Sequence, residues 1–373
     1  MISHIAVMRP KLPRAAAIAR YIEKIDAART YSNFGPLNTE FQRRLEERYG
    51  VSEGAVTTIS NATDGLALTL TALGAQPGSL CLMPAWTFIA SAHAALAAGL
   101  QPYFLDVDEA TWALTPEAVK ARLDHLPGPV GAVMPVAPFG YPLDGEAWDR
   151  FTEETGVPVV IDAAAGFDVL KPARTPAVVS LHATKVLGVG EGGFVLSRNL
   201  DLIKEVRQRT VFGFFESRVA QMPASNAKLS EYAAAVGLAA MDEWAETRAD
   251  WMRSANHYAQ ALAGNNAAAF QAGFGDTWVA SACVLRLARA EALDLEAALT
   301  RGGVETRRWW GAGAHRHPPT EALRRDPLPV TEMLVESTLA VPFYRDLPEA
   351  AAAHVVSLIT EAQGVQGASG CAA

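Results

Sequence analysis

One lysine stands where an apolar stretch gives way to glycines. The segment Val179-Ser180-Leu181-His182-Ala183-Thr184-Lys185-Val186-Leu187 runs into Gly188-Val189-Gly190-Glu191-Gly192-Gly193. An unpaired ammonium is expensive to bury. One chemistry exploits the lowered pKa that results: the amine condenses with a carbonyl, that of pyridoxal phosphate included, to give a Schiff base. Such a cofactor makes three further demands: a carboxylate for its pyridine nitrogen, donors for its phosphate and a flat surface for its ring.

Candidates for each stand just after strand-like runs. Asp162 closes the mostly apolar run Val157-Pro158-Val159-Val160-Ile161 and is followed by the small Ala163, Ala164 and Ala165. A carboxylate there either faces a pyridine nitrogen or caps a helix. Ile59-Ser60-Asn61-Ala62-Thr63-Asp64-Gly65-Leu66 leaves a strand and opens a helix. Its backbone N–H groups and hydroxyls suit a phosphate, or serve ordinary capping. In Pro84-Ala85-Trp86-Thr87-Phe88, either ring covers a planar cofactor or both fill the core. His182, three residues before the lysine, either touches the site or is structural. The glycines at 188–193 follow the lysine, not a first strand, and no Gly-Lys-Ser/Thr occurs, so neither dinucleotide nor P-loop binding is indicated.

The elements that must position these residues are legible as a pattern. Helices are expected over 15–28 and 36–49, the second capped near Asn38 and stopped by Gly50. From residue 55, strands at 55–59, 80–83, 101–105, 130–136 and 157–161 alternate with helices at 64–73, 87–98, 116–123 and 143–155. Two more strands follow at 178–181 and 193–196. This alternation predicts a mainly parallel sheet with both faces covered, and such sheets bind ligands beyond the carboxyl ends of their strands. A helix at 202–209 and one long helix over 229–256 come next. After residue 273 the pattern becomes that of a smaller α+β unit, with a strand at 278–287, helices at 293–301 and 331–338, a strand at 337–341 and a closing helix at 349–361. The expected division is a large domain over 1–250 and a small one over 251–363. A small-residue tail, 364–373, is expected to be disordered.

Composition narrows the class of partner. The 373 residues carry a formal charge of -8 with no basic cluster, which gives no support to nucleic-acid binding. Cys81, Cys283 and Cys371 have neither metal-ligand spacing nor the even count of a disulfide framework, so no metal is expected and a reducing, cytoplasmic setting fits best. Arg9, Lys11 and Arg14 interrupt the N-terminal apolar residues, which argues against a signal peptide. No apolar run is long enough to span a membrane.

The chain resembles the DegT/DnrJ/EryC1/StrS family of pyridoxal-phosphate-dependent sugar aminotransferases. The likeness is carried by Ser60-Asn61-Ala62-Thr63-Asp64-Gly65-Leu66, by Pro84-Ala85-Trp86-Thr87-Phe88 and by His182-Ala183-Thr184-Lys185 with Gly190-Glu191-Gly192-Gly193. It runs from Asn33-Phe34-Gly35-Pro36 to Leu339-Ala340-Val341-Pro342. The resemblance implies a fold-type I transferase, with a mainly parallel seven-stranded sheet between helices and a smaller C-terminal α+β domain. It implies pyridoxal 5'-phosphate as cofactor, Lys185 as the catalytic Schiff-base lysine and Asp162 on the pyridine nitrogen. Ala62, Thr63 and Ser180 would hold the phosphate, and Phe88 would stack on the ring. Asn226 matches an asparagine that reaches the phosphate from the neighbouring subunit, which implies a homodimer with shared active sites. Asn33, Trp86, His182 and Arg307 are candidate substrate contacts. The implied partners are a nucleotide-linked keto sugar, with dTDP-4-keto-6-deoxyhexose preferred, and L-glutamate. The product would be an amino sugar of the kind used in lipopolysaccharide or O-antigen assembly. A 3-keto or GDP-linked sugar, or a non-catalytic regulator keeping the fold, are the alternatives. Two departures stand out: Ala165 replaces the family's usual Gln or His, and the 166–179 segment is short.

Overall fold

In the computed structural model, residues 4–289 and 292–364 are described. Apart from Gly364, the tail expected to be disordered lies outside them, as does Cys371. Seven strands build the main sheet: β1 (Val56–Ile59), β2 (Leu80–Pro84), β3 (Gln101–Leu105), β4 (Val130–Val133), β5 (Ile161–Asp162), β6 (Ala177–Ser180) and β7 (Gly193–Leu196). Their pairings run β1-β7-β6-β5 and β3-β2-β4. Single parallel bridges, Val133 to Val159 and Val136 to Asp162, join the two halves between β4 and β5. All neighbours are parallel except those of β7, which runs antiparallel to both β1 and β6. The sheet is therefore the mainly parallel, seven-stranded one expected.

Alternate residues of each strand enter different cores, as a two-residue side-chain period requires. Leu80, Leu82, Ala177, Val179, Phe194 and Leu196 join one apolar cluster. Cys81, Met83, Val178 and Val195 join the other. Burial on both faces explains why these strands read as unbroken apolar runs. Three further strands, β8 (Ala268–Phe270), β9 (Cys283–Leu287) and β10 (Thr338–Val341), form a separate antiparallel sheet in the order β10-β9-β8. Residues of β9 and β10 share the first core cluster with the main sheet.

Three local expectations are corrected. The helix expected over 229–256 is two helices, Glu231–Asp242 and Trp244–Ala261, separated at Glu243. The strand expected over 278–287 is regular only from Cys283, because residues 273–278 form a tight turn in which Trp278 bridges back to Phe274. The short β8 has no alternation long enough to read from sequence.

The third correction concerns the start of the helix Pro36–Tyr49. Asn38 does not cap it; its side chain is buried, donating to Leu229 O (3.2 Å) and accepting from Thr58 Oγ1 (2.7 Å). The first-turn N–H groups of Leu37 and Asn38 instead donate to the two carboxylate oxygens of Glu231, at 2.8 and 3.0 Å. Glu231 is 1% exposed. Gly35 makes room for it, since a Cβ there would lie 2.8 Å from the Glu231 carboxyl carbon. A buried carboxylate at a helix N-terminus gains from both the orphan donors and the helix dipole. Glu231→Ala leaves those donors buried and unpaired, and should lower stability by about 2 kcal/mol, read as a shift in chemical-denaturation midpoint.

No helix among the described residues is long and apolar enough to cross a membrane.

Candidate active site

A cavity of about 450 Å³ opens at the carboxyl ends of the main-sheet strands. The segments after β1, β2, β4 and β6 and the end of β5 all contribute, with a further wall supplied by residues 281–310. Of the residues picked out from sequence, Ala62, Thr63, Phe88, Asp162, Ser180, His182, Lys185 and Arg307 line it. Trp86, Asn33 and Asn226 do not.

The phosphate-type donors sit at the start of the helix Ala62–Ala72. Asn61 adopts the extended conformation of a cap and its side chain accepts from Asp64 N at 2.8 Å. The N–H groups of Ala62 and Thr63 belong to the first turn, where the helix itself offers no acceptor. Ser180 Oγ, at the end of β6, accepts from His182 N at 3.2 Å and keeps its own proton to give. Two glycines allow this convergence. A Cβ on Gly65 would come within 2.0 Å of Ile59 Cδ1, and one on Gly193 within 2.8 Å of Val179 O and 3.2 Å of Ala62 N. Capping and anion binding thus coexist, with Asn61 doing the first and leaving the next two donors for the second.

Asp162 is 6% exposed. Its Oδ2 accepts from Ser91 Oγ at 2.7 Å and its Oδ1 from Ala164 N at 3.1 Å. Ser91 Oγ lies 2.8 Å from Thr87 Oγ1, so the Ser91 proton goes to the carboxylate and Thr87 donates in turn to Ser91. Burial pushes the Asp162 carboxyl above its usual range, against the pull of Ser91, Ala164 N–H and the Lys185 charge. Burial pushes the Lys185 amine down, with the Asp162 charge opposing. No hydrogen bond or ion pair ties Lys185 Nζ to another described residue. The two groups face one cavity without touching. Phe88, 53% exposed, presents a ring at its rim. Free first-turn donors, a spare hydroxyl proton, an unpaired amine and a buried carboxylate are the groups that a planar phosphorylated pyridine aldehyde requires, so the residues fit pyridoxal phosphate.

The lysine is held by a folded-back loop. His182 and Gly190 form a parallel bridge, Ala183 N donates to Gly190 O (2.8 Å) and Lys185 N donates to His182 O (2.9 Å). Gly188 lies against this turn, where a Cβ would be 2.9 Å from Ala183 Cα and O. Gly190 takes φ +101°, a conformation that L side chains rarely adopt.

The outer wall is aromatic. Phe139 and Trp310 stack with centroids 4.0 Å apart and planes at 19°. Trp86 is 3% exposed and packs edge-on behind Trp310, with centroids 5.2 Å apart. It supports the wall instead of facing the cavity, because its side chain enters a satellite apolar cluster with Trp112 and Val107. Asn33 is exposed and left-handed (φ 64°), and Asn226 is exposed next to the Lys228 amine. Arg307 reaches the cavity because its backbone pairs with Ala340 of β10, and its guanidinium lies 4.8 Å from the Trp309 ring centroid. Ala165 also lines the cavity. The short segment after it is tied down by Asp168, which accepts from Arg248 Nε (2.7 Å) and Val279 N (3.2 Å), close to the wall residues Ser281 and Ala282.

Sequence reading missed Ser91, Phe139, Trp309 and Trp310. Ser91 had a signal: Thr87 and Ser91 are one helical turn apart in an otherwise apolar stretch. Phe139 had none, since it reaches the cavity through a left-handed turn residue (φ 53°).

Comparison with known proteins agrees with this geometry. Residues 14–360 match the model of the DegT/DnrJ/EryC1/StrS aminotransferase family. Protein Rv3402c of Mycobacterium tuberculosis (strain ATCC 25618 / H37Rv) is 29% identical over 381 residues, covering 97% of this chain and 91% of its own. The dTDP-4-amino-4,6-dideoxy-D-glucose transaminase of Shigella dysenteriae is 28% identical over 240 residues, 63% of this chain and 64% of its own. A crystal structure of DesI in the presence of its TDP-sugar product superposes with a TM-score of 0.87 at 28% identity, covering 98% of this chain and 94% of that one.

Proposed function

The chain belongs to the DegT/DnrJ/EryC1/StrS aminotransferase family, pyridoxal-phosphate-dependent enzymes of fold type I, and we propose that it transaminates a nucleotide-linked keto sugar. The preferred pair is a dTDP-linked 4-keto-6-deoxyhexose with L-glutamate as donor, giving an amino sugar and 2-oxoglutarate. The observation that carries the sugar reading is the wall beyond Lys185. There Phe139, Trp310, Ala137 and Ala282 offer an apolar, aromatic surface with Arg307 beside it. Such a wall suits a ring that has lost a hydroxyl, and one guanidinium suits a diphosphate. The likeness to a dTDP-sugar transaminase and to DesI supports the same reading.

Ala62, Thr63 and Ser180 would hold the cofactor phosphate, Asp162 the pyridine nitrogen and Phe88 a ring face. Bound there, the cofactor supplies an electron sink for the negative charge left when a proton departs carbon. The protein's own part is proton placement. Lys185 Nζ, with its pKa lowered, accepts the proton from the donor α-carbon and later delivers one to the sugar carbon that gains nitrogen. Asp162, held by Ser91 and Ala164 N–H, stays oriented through both transfers. Asn226 is exposed and absent from the cavity of its own chain, as a residue serving a neighbouring subunit's phosphate site would be. Exposed Tyr31, Phe212 and Tyr232 supply apolar surface of the sort a homodimer covers.

The test is a panel of dTDP-, UDP- and GDP-linked 3-keto and 4-keto sugars incubated with L-glutamate and followed by mass spectrometry. The expected product is the amino sugar from dTDP-4-keto-6-deoxyhexose. Cofactor binding with no amino transfer across the panel rejects the proposal and favours a regulatory role.

A further inference from the structure

Asp162 sits where either of its protonation states finds a hydrogen-bond partner, and the groups responsible are Ser91 and Thr87. Ser91 lies in the first turn of the helix Ile89–Ala97, with Thr87 just ahead of it. Ser91 is 0% exposed and Thr87 1%, so neither hydroxyl is paired by bulk water. Ser91 Oγ lies 2.7 Å from Asp162 Oδ2, Thr87 Oγ1 lies 2.8 Å from Ser91 Oγ, and Phe88 O lies 3.4 Å from Thr87 Oγ1. Asp162 Oδ1 accepts from Ala164 N at 3.1 Å, and an amide N–H can only donate. A proton on this carboxyl therefore belongs on Oδ2, where Ser91 Oγ can accept it.

A hydroxyl both donates and accepts, so the row has two complete settings. With Asp162 ionised, Thr87 donates to Ser91 and Ser91 donates to Oδ2. With Asp162 neutral, Oδ2–H donates to Ser91, Ser91 to Thr87 and Thr87 to Phe88 O. The two settings differ by the rotation of two hydroxyls. No Ser or Thr O–H bond breaks, and the proton exchanged with the cavity is the carboxyl's own. We propose that Ser91 is a positioning residue for the reaction: with Thr87 it forms a reversible hydroxyl chain that holds the Asp162 carboxyl in one place in both states and favours the charged one. The proposal rests on the reading in which that carboxylate faces the cofactor's pyridine nitrogen. The bias arises because a hydrogen bond to a charge is about twice as strong as one between neutral groups. Burial alone favours the neutral form. Val136 and Val178 flank Asp162 in the sheet. The charged and titratable groups facing it are thus those of the cavity, Lys185, His182, Glu191 and Arg307. Ser91 is the one side chain among the described residues that is hydrogen-bonded to it.

The test compares the full chain, stripped of cofactor and carrying carbon-labelled aspartate carboxyls, as wild type, Ser91→Ala and Thr87→Val. The Asp162 signal in carbon NMR is the one missing from Asp162→Asn. Its titration midpoint should rise in Ser91→Ala, which takes the stronger bond from the ionised state. It should move less in Thr87→Val, which takes one hydrogen bond from each state, whereas a one-way chain would raise the midpoint in both. In the holoenzyme, L-glutamate should discharge the lysine-bound cofactor absorbance about 10-fold more slowly in Ser91→Ala, as expected for one lost hydrogen bond to a charge, with KM for L-glutamate little changed. A Ser91 that only fills space would alter neither measurement. An unmoved or lowered midpoint in Ser91→Ala, an equal rise in Thr87→Val, or the wild-type rate in Ser91→Ala overturns the proposal. Failure of the transamination reading is seen separately, as no absorbance change with L-glutamate in the wild type, while the midpoints still report on the chain.

Discussion

Replacing Lys185 with alanine should abolish amino transfer, lowering turnover by at least about 10⁴-fold, and should erase the visible absorbance of lysine-bound cofactor. The size of the effect follows from the site. Lys185 Nζ is the one amine among the cavity-lining side chains, and burial already holds its pKa down. Neither His182 nor Arg307 can take its place, since an imidazole or a guanidinium does not form the same covalent link. The fold should tolerate the change, because Lys185 Nζ has no partner among the described residues to lose. Retained absorbance or turnover in Lys185→Ala, in a protein that melts like the wild type, would remove the assignment.

Asp162→Asn should separate function from stability. With Asp162 proposed to face the pyridine nitrogen, loss of its carboxylate takes away that negative charge, and turnover should fall by about 100- to 1000-fold. The cofactor-free protein should respond differently. Burial raises the folded-state pKa of Asp162. A raised carboxyl contributes stability that is fully present below its unfolded value, about 3.9, and that is lost as pH rises through the folded value. At neutral pH Asp162 is therefore a burden on the cofactor-free fold. Asp162→Asn should melt no lower than wild type at pH 7, and lose any advantage as the pH is taken below about 4. A marked drop in melting temperature at pH 7 would mean that the Ser91 and Ala164 hydrogen bonds, not the charge, dominate this corner.

Much of this was readable from the chain because local signals agreed with the tertiary result. The helices at 15–28 and 36–49 have the bounds expected, with Pro36 at the first helical position and Gly50 left-handed after the last. The strand ends carrying Ala62, Asp162, Ser180 and Lys185 were legible because both faces of those strands are buried. Boundaries failed where no residue marks them. Glu243 breaks a helix by its backbone angles alone, and nothing in Glu-Trp advertises it. The aromatic wall failed for another reason. Trp310 meets Phe139 across some 170 positions of sequence, a contact that only the assembled fold creates. Trp86 was weighed as a cavity residue by its nearness to Phe88. The two are separated by Thr87 in an irregular turn after β2, and the structure sends Phe88 to the rim and Trp86 behind the wall.

The antiparallel seventh strand bears on how the site comes together in time. Ser180 and Gly193, the closest pair of β6 and β7, are 13 positions apart (193 − 180). Ile59 and Gly193, which bring the helix carrying Ala62 beside that same glycine, are 134 apart (193 − 59). On loop-closure entropy alone the second pairing is about 2 kcal/mol harder to make than the first. The reactive lysine thus belongs to the most local piece of an otherwise long-range sheet, while the anion cradle depends on its most distant pairing. A folding chain can present the amine well before it can hold a phosphate, and the two halves of the site meet only when β1 closes the edge.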